Sequence, residues 1–229
     1  MRKTGKRTGK RGHWLSGAIM GCALLGLAAA GSASAAGIGA YVGYSGDKGT
    51  IGDVPIFVLQ EVDTSSDRID VGFLYDSHPR GDDLFSYRFE AGYSHGWANA
   101  KSRAGLLPNP QPYDRSYETN GFATNHYFTF GVVRNERVRF WLAPVVGLSL
   151  DFPDIEGSGT PYSLSVGGGG ALGANFHVNE HLSLTASAGY QYRWRHADIS
   201  FDSEDIDFSN GGGLNYWMVN VGFLFNTDS

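Results

Sequence analysis

The chain has 229 residues, with 18 Lys and Arg against 23 Asp and Glu, 33 Gly and one Cys, enough for one domain of ordinary size or one barrel. One cysteine excludes a disulfide framework, and net acidity argues against polyanion binding through a global basic field, so no nucleic-acid partner is expected. Aromatic residues make up 14% of the chain and no long segment has a helical period, which points to an all-β protein.

Residues 1–36 are read as a cleaved secretory signal. "MRKTGKRTGKRGHW" carries six Lys and Arg and no acid, an apolar run follows from Ile19 to Ala30, and Ala33-Ser34-Ala35 has the small-x-small pattern of a signal peptidase site. The run is too short to span a bilayer as a helix, which takes ~20 apolar residues. Removing six of the 18 basic residues leaves 12 against 23 acids, a mature net charge of −11. Cys22 leaves with the signal, so no thiolate metal site is expected. The alternative, a lipoprotein processed at "IMGC" (Ile19 to Cys22), would retain the apolar stretch Leu24 to Ala30. Residues 37–229 are read as one domain.

Eight segments of that domain alternate with a period of two, the signature of strands with one apolar face. In "GIGAYVGYS", Ile38, Ala40, Val42 and Tyr44 share a face. In "RIDVGFLYD", Ile69, Val71, Phe73 and Tyr75 stand opposite Arg68, Asp70 and Asp76. "FSYRFEAGYS" sets Phe85, Tyr87, Phe89 and Tyr93 against Ser86, Arg88 and Glu90, and "NHYFTFGVV" follows the rule less cleanly. Next, "VRFWLAPVVGLSLD" opposes Phe140, Leu142 and Val146 to Arg139, Trp141 and Asp151, and "SLSVGGGGALGANFHV" aligns Leu164, Val166, Leu172 and Phe176. "LSLTASAGYQYRWR" aligns Leu184, Tyr190, Tyr192 and Trp194 against Gln191, Arg193 and Arg195. The last strand is "NYWMVNVGFLF", where Trp217, Val219, Val221, Phe223 and Phe225 share a face.

Alternation alone also fits a soluble β-barrel or sandwich, so the connections must discriminate. They are expected at 46–67, 77–83, 95–121, 134–137, 152–161, 179–181 and 196–213, alternately long and short. All the long ones would then lie at one end, as in outer-membrane barrels with short periplasmic turns and longer outside loops. Aromatics near the strand ends fit interfacial girdles, and the charged opposite faces fit a polar interior. The expected fold is an eight-stranded antiparallel up-and-down transmembrane β-barrel whose last strand closes against the first. The apolar run Ile56 to Leu59 is left in a loop by this assignment.

"GGGGALGANFHVNEHLSLTASAGYQYRW" (167–194), "GIGAYVGYSGD" and "NVGFLF" resemble small OmpA-like outer-membrane proteins, the group of OmpX-, opacity- and OmpA-type barrels. The resemblance implies the outer membrane of a Gram-negative bacterium as location, with membrane lipid and lipopolysaccharide as surroundings. It also implies that Trp217, Val219, Val221, Phe223 and Phe225 form a C-terminal insertion signal for the barrel assembly machinery. The chain departs from the pattern in that "NTDS" follows Phe225, and OmpA's tether to the cell wall is not implied.

Candidate sites are few. Asp70, Arg88, Glu90, Arg139, Asp151, Arg193 and Arg195 fall on the inward face, where an eight-stranded barrel has room only for side chains; they are expected to form an ion-pair network filling the lumen. The sharper reading is a gated narrow conductance. Gly168, Gly170 and Gly173 match G-x-G-x-x-G, but a dinucleotide loop requires a following helix where a strand is expected. Ser94 and His95, with Asp114 or Glu118, invite comparison with lipid A-modifying enzymes, but "HGWANA" matches the H-x-S-N-A deacylase pattern only in part. Asp198, Asp202, Glu204, Asp205 and Asp207 crowd the last outer loop, solvated or binding divalent cations that bridge lipopolysaccharide. No cofactor, no fixed metal site and no enzymatic activity are expected. The expected role is structural or one of surface interaction, adhesion-like, through outer loops that meet an extracellular partner. A narrow channel for small solutes or ions is the first alternative, and a lipid A-modifying enzyme the second.

Overall fold

The structure, a computed structural model, describes residues 36–53, 60–80, 83–102, 114–155, 161–201 and 206–227. Residues 1–35 of the proposed signal and the run Ile56 to Leu59 lie outside the described residues. Eight strands follow in chain order: β1 Gly37–Asp53, β2 Gln60–Asp76, β3 Phe85–Ser102 and β4 Asp114–Arg134, then β5 Val138–Pro153, β6 Tyr162–His177, β7 Leu182–Phe201 and β8 Ile206–Asn226. Each pairs antiparallel with its sequence neighbour, and β8 returns to β1, from Gly37↔Asn226 upward, so the sheet is a closed ring.

The register fixes the geometry of that ring. Starting at Ile38, the ladder partners run Tyr75, Phe89, His126, Val146, Gly168, Tyr192 and Asn215, and then back to β1 at Lys48. One circuit therefore climbs from residue 38 to residue 48, a shear of ten residues for eight strands. With ~3.3 Å per residue along a strand and ~4.8 Å between strands, this stagger tilts the strands by about 40° from the barrel axis. Each residue then adds ~2.5 Å of height, and each step to the next strand along a ladder row adds ~3 Å. One irregularity interrupts the ladders, where the β4–β5 register shifts between Gly131 and Val133.

The alternation in the sequence becomes inside and outside. Ile38, Val42, Val71, Leu142, Leu172, Val219 and Val221 are exposed on the outer wall, each between 47% and 58% accessible except Ile38 at 46%. Arg88, Glu90, Arg139, Asp151 and Arg193 are at most 2% accessible. A soluble protein would invert this pattern, because apolar exposure on such a scale is unfavourable in water. Aromatic pairs rim the belt: Phe85–Phe130 at 5.6 Å and Phe223–Phe225 at 5.4 Å near one end, Tyr44–Trp217 at 5.3 Å and Tyr93–Phe122 at 5.7 Å toward the other.

The short turns use one device twice. Asn135 accepts from the backbone N–H groups of Arg137 and Val138, and Asn179 from those of His181 and Leu182, all at 2.9 Å. Such Asx turns let the side chain replace a missing ladder partner. At the other end the sequence-based bounds need correction. The expected loops 46–67, 95–121 and 196–213 are mostly strand: β1 and β2 stay paired to Asp53↔Gln60, β3 and β4 to Lys101↔Asp114, and β7 and β8 to Phe201↔Ile206. The loop expected at 152–161, by contrast, agrees with strands that end at Pro153 and resume at Tyr162. The wall continues past the apolar belt as paired hairpins. Above lipid both faces of a strand meet polar surroundings, so the two-residue apolar signal fades while the hydrogen-bonded ladder persists.

Candidate functional site

The lumen holds the chemistry. Among the described residues it buries five arginines, Arg68, Arg88, Arg139, Arg193 and Arg195, and five carboxylates, Asp47, Asp70, Asp76, Glu90 and Asp151. Charge therefore balances inside the wall, as ions removed from water require. The ten groups sort into three levels.

The outer level is built on Asp47 and Arg68. Asp47 Oδ2 accepts from Arg68 Nη2 at 3.0 Å, Arg195 Nη2 at 2.6 Å and Ser66 Oγ at 2.8 Å. Arg68 reaches across the barrel with its other terminal nitrogen to Asp151. Four strands, β1, β2, β5 and β7, are thereby tied by four charges. Neither Asp47 nor Arg68 belongs to the set expected from sequence. Asp47 lay in an expected loop, and Arg68 was visible as the first inward residue of its strand.

At the middle level, Asp70 and Arg193 make no ion pair among the described residues. Arg193 donates to Gln191 Oε1 at 2.9 Å and Asn125 Oδ1 at 3.0 Å, and its guanidinium lies 3.5 Å from the centre of the Tyr216 ring. Amide dipoles and a ring face hold this cation, a cation–π arrangement strengthened by desolvation. The expected ion-pair network is thus interrupted here.

The inner level closes on Arg88 and Glu90, paired at 3.0 Å on the same strand. Glu90 Oε2 also accepts from Tyr127 Oη at 2.6 Å and Asn220 Nδ2 at 2.8 Å. Arg88 donates to Thr185 Oγ1 at 2.6 Å and sits 5.2 Å from the Trp141 ring centre. Toward the rim, Arg139 donates to Ser86 Oγ at 2.8 Å, and Ser86 donates to Asp76 at 3.2 Å, so a hydroxyl relays between the two charges. Below and around these groups Trp141, Tyr127, Leu74 and Leu224 are fully buried. A stagger of ten on eight strands leaves an interior that side chains fill.

The remaining candidates separate. Ser94 is 2% accessible and inward, whereas His95 stands on the opposite face of β3 with Nδ1 2.9 Å from Asn120 Oδ1. The two form no nucleophile–base pair, which requires direct reach. Asp114 lies 3.7 Å from Lys101 on an exposed hairpin, and Glu118 is paired with Trp97 across the ladder. Asp198 and Asp207 belong to the β7–β8 ladder rather than to a loop, and Asp202, Glu204 and Asp205 lie outside the described residues. No carboxylate or histidine cluster able to hold a metal occurs among the described residues. Gly168 and Gly170 are strand residues in a β5–β6–β7 sheet, with no helix after them. Trp217, Val219, Val221, Phe223 and Phe225 all face outward on β8.

A closed ring with an apolar outer wall and a charge-balanced, filled interior defines an eight-stranded outer-membrane β-barrel. Among solved structures the chain is similar to the outer membrane protein OprG from Pseudomonas aeruginosa, at 12% identity and a TM-score of 0.55, covering 83% of this chain and 97% of that one. It is also similar to Neisserial surface protein A, at 16% identity and a TM-score of 0.31 over 80% of this chain and 96% of that one. A third is Ail, the attachment invasion locus protein of Yersinia pestis, at 13% identity and a TM-score of 0.33 over 85% and 100%. No protein-family model matches the chain, and no curated protein matches it in sequence.

Proposed function

We propose that the protein is a non-conducting membrane anchor that holds paired β-hairpins outside the cell as an interaction surface for an extracellular partner or for lipopolysaccharide. The observation that supports this reading is the filled lumen: the Arg88–Glu90 pair, Tyr127 and Trp141 occupy one level with 0% to 1% accessibility. Among the described residues β1–β4, β7 and β8 remain paired above the belt, and a surface carried on paired strand binds at lower entropic cost. Insertion by the barrel assembly machinery through the aromatic face of β8 belongs to the same proposal.

The test has two arms. Planar bilayers containing the purified barrel should show no discrete conductance steps. Replacing residues 98–117, a segment whose ends pair as Ala98↔Tyr117, with a two-residue turn should abolish binding to target cells or lipopolysaccharide while the barrel still shifts on heating. Steady conductance that Glu90→Gln alters would transfer the function to the pore. The second reading, a narrow channel, is favoured by orphaned polar atoms in the outer level: Asp47 Oδ1, Thr64 Oγ1 and Arg195 Nε have no hydrogen-bond partner among the described residues. Buried polar atoms of this kind are normally met by solvent. An enzyme acting on lipid A has no such support, because Ser94 and His95 diverge.

A further inference from the structure

The outward face of β4 reads Phe122, Thr124, His126, Phe128 and Phe130, and it breaks the rule that the outer wall is apolar. The register gives the depth of the break. His126 lies on the ladder row that begins at Ile38, three strands along, which lifts it ~10 Å above Ile38 at ~3 Å per strand. The lower aromatic rim at Phe85, Phe176 and Phe225 falls ~4 Å below Ile38 by the same arithmetic, and a lipid-facing belt is ~25 Å tall. His126 therefore stands within ~3 Å of the bilayer midplane.

The ring is built in, not loose. Its Nδ1 is 2.6 Å from Tyr87 Oη. It packs 5.0 Å from the Phe89 ring and 6.1 Å from that of Tyr87, and Tyr87 in turn lies 5.8 Å from Phe128. Phe89, although on the outward face, is covered to 7% accessibility by this cluster. Tyr87 satisfies one ring nitrogen only. In hydrocarbon an unsatisfied polar group costs several kcal/mol, and acyl chains offer neither donor nor acceptor.

We propose that the outward face of β4, centred on His126, is the contact surface of a homodimer within the membrane. Two copies inserted in the same direction are related by a two-fold axis along the membrane normal, so every residue meets its counterpart at its own depth. A neutral imidazole is amphoteric: one ring nitrogen donates and the other accepts. Two copies of His126 thus complement each other. Tyr87 Oη–H donates to Nδ1 of the first ring, whose Nε2–H donates to Nε2 of the second. The second ring's Nδ1–H donates to its own Tyr87 Oη. All four ring nitrogens in that chain are satisfied by a choice of tautomer alone, with no charge and no water. A side chain that only donates, such as Lys, Arg or Trp, or only accepts, such as an ionised Asp or Glu, would meet its copy donor to donor or acceptor to acceptor. The imidazole does not, and a second copy offers it the partner that lipid lacks.

The test is cross-linking in native outer membranes combined with sedimentation in micelles, using the full chain. Phe128→Cys on β4 should give a dimer with a short bis-maleimide, while Leu172→Cys on β6 and the parent chain should not. His126→Leu should weaken the monomer–dimer equilibrium by about tenfold or more, and His126→Gln, whose amide can also pair with itself, should retain it. Heat-shift electrophoresis of every variant reports whether the barrel has closed, and the cross-linking arm stands on the native histidine if His126→Leu does not fold. A monomer at all protein-to-detergent ratios, equal cross-linking from β6, a dimer indifferent to His126→Leu, or a cross-linked product with a different protein would each overturn the proposal.

Discussion

Removing the charge of Glu90 while keeping its volume, by Glu90→Gln, probes the interior most directly. Four donors converge on this carboxylate: Arg88 Nε at 3.2 Å and Nη2 at 3.0 Å on one oxygen, Tyr127 Oη at 2.6 Å and Asn220 Nδ2 at 2.8 Å on the other. An amide supplies one oxygen where the carboxylate supplied two, and turns an NH2 group toward donors. At least two donors lose their acceptor, at ~1–3 kcal/mol each, and Arg88 is left a buried cation without its counter-charge. Breaking a buried pair from one side costs about 3–5 kcal/mol, and the two routes to the magnitude agree. The assay is urea unfolding of the barrel refolded in lipid vesicles, followed by tryptophan fluorescence. The double variant Arg88→Met with Glu90→Leu should recover the part of the loss owed to the unpaired guanidinium but not the part owed to Tyr127 Oη and Asn220 Nδ2, which still lack their acceptor. A loss under ~1 kcal/mol for Glu90→Gln would refute the argument. A double variant as unstable as Glu90→Gln would show that shape rather than charge holds this level.

Two glycine substitutions should diverge. A Cβ on Gly39 would lie 1.7 Å from the Phe223 carbonyl oxygen on the neighbouring strand, so Gly39→Ala should prevent β1 from meeting β8 and abolish the heat-shifted band. A Cβ on Gly170 meets nothing closer than the Ala143 oxygen at 3.9 Å, and Gly170→Ala should stay within ~0.5 kcal/mol of the parent in the same urea assay. On the lipid face, Val219→Arg near mid-depth should cost ~2–4 kcal/mol and Trp194→Arg at the outer rim ~0–1 kcal/mol. Equal costs at the two positions would deny the depth assigned by the register.

The apolar and polar faces were legible wherever the two media differ. Val219 and Val221 point into lipid and Asn220 into a polar lumen, so the sequence alternates and the strand is plain. Asp47, at the centre of the outer charge cluster, was invisible for the opposite reason. It lies in "SGDKGTIGD", where both faces of β1 are polar and Gly interrupts the pattern, so nothing in the residue types separates an ordered ladder from a loop. The inward position of Asp70 and Arg193 followed from parity, but that neither makes an ion pair among the described residues depends on reach across the ring, which parity does not carry. Gln191, Asn125 and Tyr216, which hold Arg193 instead, come from three strands. His126 was not singled out in "NHYFTFGVV", a segment that follows the alternation less cleanly than the others. Its depth emerged only from the stagger of the whole ring.

The seam between β1 and β8 joins Gly37 to Asn226 and runs upward through Gly49↔Leu214. A sheet with free margins can fray from either side, one ladder bond at a time. This one has no margin, and its seam lies in a medium where no solvent waits to receive a released amide. Opening it part-way has almost no intermediate rungs of low energy, so the native state is left through a single high barrier rather than by gradual loosening. Lifetime, more than equilibrium stability, is what such a closure confers. The amides of β1 and β8 within the belt should then exchange with deuterium only when the entire molecule unfolds.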